Sequence, residues 1–182
     1  MSCFFNLDSG ERVEVIMLRH QGARLTSTCF RGQRCQQAGN FFAWNSFRDF
    51  LMDPEVRELL VHKLENLVEE GRVQFEHRFE LEFSSDVGWD SVMDCNDLTP
   101  EDLAMGEERR LNGRATAIFL PDTQILAPRT NIVTMVLRMK HDKHWKFTIG
   151  TMYPGLDCGK LEGGNLTETR GLVWMSWTNP GE

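Results

Sequence analysis

The sequence predicts an α+β fold: an antiparallel twisted sheet with a central hairpin over residues 130–153, packed against two or three helices. Three observations predict it. The first is the stretch TNIVTMVLRMKHDKHWKFTIGTMYPG, where Val133, Met135, Leu137 and Met139 recur at period two, as do Trp145, Phe147, Ile149, Thr151 and Tyr153. The second is RVQFEHRFELEF from Arg72 to Phe83, whose Val73, Phe75, Phe79, Leu81 and Phe83 alternate with polar residues. The third is a helical stripe of Val56, Leu60, Leu64, Leu67 and Val68 behind an Asp53-Pro54 start.

In the hairpin, an odd-length loop is needed to bring both apolar rows to one side, which puts Asp142, Lys143 and His144 at the tip. Met139 then faces Phe147, and Leu137 faces Ile149. Pro154 cannot donate to a ladder, so the second strand stops there and leaves Thr151 and Tyr153 near its end.

Earlier in the chain, Val13, Val15 and Met17 suggest a buried strand ending at His20-Gln21-Gly22. Residues 22–40 lack periodicity and read as a loop whose chemistry is Arg24, Arg31 and Arg34. Phe41, Phe42, Trp44, Phe47, Phe50 and Leu51 are spaced as one helical face. In the helix that follows, Asp53 caps, Pro54 takes the first position, and His62 falls off the apolar stripe. His77 falls on the apolar face of its strand, where an imidazole needs a hydrogen-bond partner, and a satisfied core histidine is the preferred reading over an acid or base.

Val87 to Asp94 reads as a short strand or strand-like turn. Leu98-Thr99-Pro100 opens a helix in which Asp102 closes a capping-box-like arrangement, and Arg109, Arg110 and Arg114 follow at its end. RATAIFL is a further strand, and GLVWMSW a late one carrying Trp174 and Trp177. The organisation expected is a single domain, 1–182, with residues 1–71 mainly a strand and helical cover and 72–182 mainly sheet.

Composition narrows the function. No run reaches the roughly 18 apolar residues that cross a bilayer, and the first residues lack the pattern of a signal peptide, so a cytoplasmic protein without a membrane partner is expected. Five cysteines, Cys3, Cys29, Cys35, Cys95 and Cys158, include no CxxC pair, which points to reduced thiols rather than zinc or disulfides. The carboxylates Asp86, Asp90, Asp94 and Asp97 match no calcium loop, so neither metal nor cofactor is expected. A net charge of −7 argues against a surface that grips phosphate backbones throughout, while leaving room for a local arginine cluster on RNA or DNA.

One constellation suits metal-free RNA cleavage, in which a base takes the 2′-hydroxyl proton, cations neutralise the phosphorane and an acid protonates the leaving oxygen. Its members are His77, His20, His141 or His144 as acid or base, Arg110 and Arg114 for charge, and Thr151 and Tyr153 for positioning. Partner or nucleic-acid contact falls to Arg24, Arg31, Arg34, Arg109 and Asn131.

The order VGWD, TPED helix, RR-x-x-GR, strand, PRTN, alternating strand and TMYPG across residues 87–155 resembles small phage and bacterial proteins of the barnase, EndoU, colicin and RelE-like fold. That resemblance implies an antiparallel sheet against helices, a ribonuclease toxin activity, and a site at Arg110, Arg114, Thr130, Asn131 and Thr151. In size and charge the whole chain also resembles mobile-element inhibitors of host defence, such as anti-CRISPR proteins, which implies a protein partner of the kind of a CRISPR effector nuclease. The acidic balance and the lack of a defined catalytic pair favour binding and inhibition over cleavage.

Overall fold

The computed structural model describes residues 2–17, 41–70, 75–90, 92–94, 97–111, 115–120, 128–140, 145–155 and 172–175. A five-stranded sheet organises them. Its strands are β1 (Ser2–Asn6), β2 (Arg12–Ile16), β3 (Glu76–Glu82), β9 (Ile132–Met139) and β10 (Lys146–Pro154), in the order β1-β2-β10-β9-β3. Every pairing in it is antiparallel except one: β10 runs parallel to β2 over Lys146↔Glu14 to Thr148↔Ile16.

The α+β class and the hairpin hold. Met139 faces Phe147 and Leu137 faces Ile149, and the last backbone bond before the turn runs from Lys140 N–H to the Lys146 carbonyl at 3.0 Å. Residues 142–144, expected at the tip, lie outside the described residues. The apolar row then departs from the expected one. At Gly150 the register slips, so that Thr151 faces Val136, and from there the parity of β10 inverts. Met152 and Pro154, not Thr151 and Tyr153, continue the buried face. Gly150 permits the bulge because Arg138 lies across it: a Cβ there would stand 3.1 Å from Arg138 Nε.

The core lies on one face of this sheet. Val133, Met135, Leu137, Phe147, Ile149, Met152, Phe5, Val13 and Leu81 meet Phe47, Phe50 and Leu51 of α1 (Phe47–Met52) and Val56, Leu60 and Leu64 of α2 (Pro54–Glu69). α2 starts where the sequence placed it. Asp53 Oδ1 accepts from Glu55 N–H at 2.9 Å, and Pro54 sits where its missing N–H is not needed. His62 is exposed, off the stripe.

The aromatic run before α1 is not one helix. Ser46 caps a helix that begins only at Phe47, while Phe41 bridges to Gly88 and Phe42 N–H donates to the Val87 carbonyl at 3.0 Å. Side chains spaced like a helical face reach the core from a backbone of successive bends, with Trp44 edge-on to Phe41, Phe50 and Phe83. β1 is an addition to the elements anticipated from sequence; it pairs with β2 through a turn at Gly10, whose φ is +88°.

Two smaller sheets complete the topology. β4 (Gly88–Trp89) pairs with β8 (Arg129–Thr130), and β5 (Val92–Asp94), β11 (Leu172–Met175), β7 (Ala115–Leu120) and β6 (Glu107–Leu111) form a four-stranded sheet in the order β5-β11-β7-β6. α3 (Pro100–Ala104) carries the anticipated capping box: Thr99 Oγ1 accepts from Asp102 N–H at 3.2 Å, and Asp102 Oδ2 accepts from Thr99 N–H at 3.2 Å. The helix ends at Ala104, so Arg109 and Arg110 belong to β6 rather than to a helix C-terminus.

Candidate functional site

Strand pairing places every side chain of the large sheet on one of two faces, since residues opposite each other across a ladder share a side. The face away from the core carries three polar rows across β3, β9 and β10: Glu76, Arg138 and Thr148; Arg78, Val136 and Thr151; Glu80, Thr134 and Tyr153. Thr151 and Tyr153 are here, both half-buried. His77 is not. It is 8% exposed on the core face, edge-on to Phe147 with ring centroids 5.9 Å apart. The sheet therefore separates the His77 imidazole from the two hydroxyls it was expected to join.

The charges of the outer face are largely committed to one another. Glu76 lies between two arginines, with Arg138 Nε 3.1 Å from Oε2 and Arg78 Nη2 3.7 Å from Oε1. Farther along, the half-buried Lys146 and Glu14 pair with Nζ 3.3 Å from Oε2, and Ser2 Oγ donates to Glu14 Oε1 at 2.8 Å. The Ser2 hydrogen bond and then Lys146 hold the Glu14 carboxyl below its ordinary value. At the sheet centre Thr134 is fully buried and donates to the Gly155 carbonyl at 2.9 Å.

The remaining anticipated residues fall elsewhere. Asn131 Nδ2 donates to the Phe83 carbonyl at 3.0 Å and Thr130 Oγ1 accepts from Ile132 N–H at 3.1 Å, so both fasten the entry to β9. Arg109 and Arg110 occupy consecutive register positions on β6, opposite Ala117 and Thr116. Arg24, Arg31, Arg34 and Arg114, together with His20, His141, His144, Trp177 and four of the five cysteines, lie outside the described residues. The fifth, Cys3, is a free thiol whose Sγ accepts from Arg57 Nη1 at 3.2 Å.

Two features were missed from sequence. An open groove of about 610 Å³ runs between α2 and the edge strand β3, with Leu59, Phe79, Leu81 and Ile132 as its apolar lining and His62, Lys63, Glu80 and Glu82 as its charged one. No short motif marks it, because it exists only where a helix face meets a sheet edge. The second is a corner of Phe42, Trp89 and Arg129, in which the Trp89 indole N–H is buried without an acceptor. A donor left so typically costs about 1–3 kcal/mol. The PRTN motif contains its arginine, Arg129, next to Thr130 and Asn131.

Among the described residues, no cluster of three or more His, Cys, Asp or Glu side chains could hold a metal ion, and no helix is long and apolar enough to cross a membrane. In comparisons with known proteins, no family model, curated protein or solved structure matches the chain.

Proposed function

We propose that the chain is a non-catalytic binding protein of a mobile element, an inhibitor that engages a host defence nuclease such as a CRISPR effector in the cytoplasm. The observation that carries this reading is the placement of His77 on the core face, across the sheet from Thr151 and Tyr153. A general acid or base must come within hydrogen-bond reach of the reacting group, and a sheet between them prevents it. The charge distribution supports the same reading. Glu58 and Glu69 of α2 and Glu70 at its C-cap are exposed in a chain with net charge −7, a surface suited to a basic nucleic-acid channel on a partner.

The test is inhibition of a purified effector nuclease by the protein and by a Glu58→Lys, Glu69→Lys, Glu70→Lys variant with unchanged circular dichroism. The reading expects the variant to lose inhibition by tenfold or more; equal potency of the two proteins would remove it.

A second reading, a metal-independent endoribonuclease, rests on one observation: Glu80 and Tyr153 flank Thr134 in one row, and Arg78 and Thr151 flank Val136 in the next. One intervening strand puts these flanking residues about 10 Å apart at the backbone. Total RNA incubated with the protein in EDTA discriminates. Discrete fragments lost in Tyr153→Phe would establish cleavage and displace inhibition as the main activity.

A further inference from the structure

We propose that Arg129, laid over the rings of Trp89 and Phe42, is a receptor for a single carboxylate side chain on a protein partner. The inference deepens the binding reading above and rests on it for the identity of the partner as a protein.

The geometry begins with register. Arg129 stands directly opposite Trp89 in the β4–β8 pair, so the two side chains share a face. Its guanidinium carbon lies 5.2 Å from the Trp89 ring centroid and 5.7 Å from that of Phe42, and the two rings meet edge to face at 5.5 Å. The rings are themselves fixed. Trp89 is 5% exposed, and Phe42 is tied through its N–H to the Val87 carbonyl.

Arg129 itself is exposed and, among the described residues, pairs with no carboxylate. In a chain with 27 acidic residues against 20 basic ones, an arginine that is held in place but left without an anion is notable for its position rather than its charge. A guanidinium attracted to ring faces spends none of its five N–H donors on them, and its fork takes a carboxylate in two parallel hydrogen bonds. Because the side chain is already ordered, little further freedom is lost on binding. The Trp89 indole N–H beside it is buried with no acceptor among the described residues, so its resonance reports on what the guanidinium takes up.

Charge decides the class of anion. A nucleic acid brings about one charge per 1.7 Å of duplex axis and is held by rows of cations. Arg129 is flanked in sequence by Pro128 and Thr130, Trp89 is followed by the buried Asp90, and the chain as a whole is acidic. One carboxylate suits one fork. A stacked arginine beside a tryptophan is also the composition in which interface energy concentrates.

The test is an NMR titration of isotope-labelled protein with the α-amide of N-acetylglutamate, its glutamine counterpart, and a short oligothymidylate. The reporter is the Trp89 indole N–H resonance, identified by its absence in Trp89→Phe. A saturating shift with the glutamate compound, none with the glutamine compound, and affinity about tenfold weaker in Arg129→Lys are expected. No response, an equal response to both compounds, or affinity unchanged in Arg129→Lys overturns the proposal. A saturating response to the oligothymidylate at lower concentration also overturns it, in favour of a nucleic-acid site. Failed nuclease inhibition with a successful titration removes the inhibitor and keeps the receptor; inhibition that survives Arg129→Lys with a failed titration does the reverse.

Discussion

Glu14 links a single side chain to the behaviour of the molecule in acid. Its carboxylate accepts from Ser2 and faces Lys146, joining β1, β2 and β10 on the outer face, and both contacts favour the charged form. A carboxyl held below its ordinary value in the folded state binds fewer protons there than in the unfolded chain. Its stabilising contribution is therefore present above the unfolded value, about 4.3 for glutamate, and is lost as pH falls through the folded one. Glu14→Gln is expected to flatten the loss of stability on acidification while moving the neutral urea midpoint little, since a surface ion pair contributes little at neutral pH. Superimposable midpoint-versus-pH curves for the two proteins would show that Glu14 has no part in the acid limb. At this scale, reading from sequence succeeds as long as parity is unbroken. His77 lands on the apolar face as expected, because nothing interrupts β3. Thr151 and Tyr153 land on the wrong face because one extra residue at Gly150 inverts everything after it. A lone glycine in a strand announces a bulge or a close approach without saying which.

The starts of α2 and α3 were the most legible features, since each depends on residues a few positions apart. Asp53 makes the strongest case. One carboxyl oxygen caps α2 and the other accepts from the Trp44 indole N–H at 2.9 Å, so this residue fixes both the helix and the aromatic run before it. Asp53→Ala is expected to cost about 2 kcal/mol, one part for the cap and one for an indole left without its acceptor. Asp53→Asn, which keeps an oxygen for the cap, should lose about half of that in chemical denaturation, and equal losses in the two variants would refute the division. The stop of β10 gives a sharper case. Gly155 has a φ of +105°, and an added Cβ would run into the Asp90 carboxylate. Gly155→Ala combines strained backbone with a clash and is expected to lower stability by about 2–4 kcal/mol, far beyond the same change at Gly10, which meets nothing within 4 Å. Comparable melting temperatures for the two variants would contradict this. The elements that sequence misjudged were those set by distant partners. Residues 41–46 imitate a helical spacing but follow a series of bends tied at its start to Val87 and Gly88, and β1 is a five-residue strand whose pairing partner supplies the reason for its existence.

For the whole molecule, the order of strands sets which parts open together. β9 is bonded along seven registered positions to β3 on one side and seven to β10 on the other, whereas among the described residues the β1–β2 hairpin pairs with the rest of the sheet at three parallel positions. That parallel junction was not legible in advance. β2 and β10 are separated by more than half the chain, and alternation in each says which side is buried but nothing about direction. Its shortness matters for dynamics, because a unit attached by few backbone bonds can detach without unravelling the remainder. Arg57 offsets part of this weakness. From α2 it donates to the Phe4 carbonyl at 3.1 Å and lies 4.7 Å from the Phe5 ring centroid, holding the outer edge of the sheet to the helix. Native-state hydrogen exchange is expected to place the amides of β9 and β10 at the global unfolding free energy. The bonded amides of β1 and β2 should exchange through a smaller opening, lower by about 2 kcal/mol or more. Arg57→Ala should widen that gap without altering β9. The decisive measurement is the urea dependence of exchange. If the amides of β2 and β9 respond with one common slope and free energy in both proteins, the hairpin is an inseparable part of the core, and the parallel junction is stronger than three positions of pairing would provide.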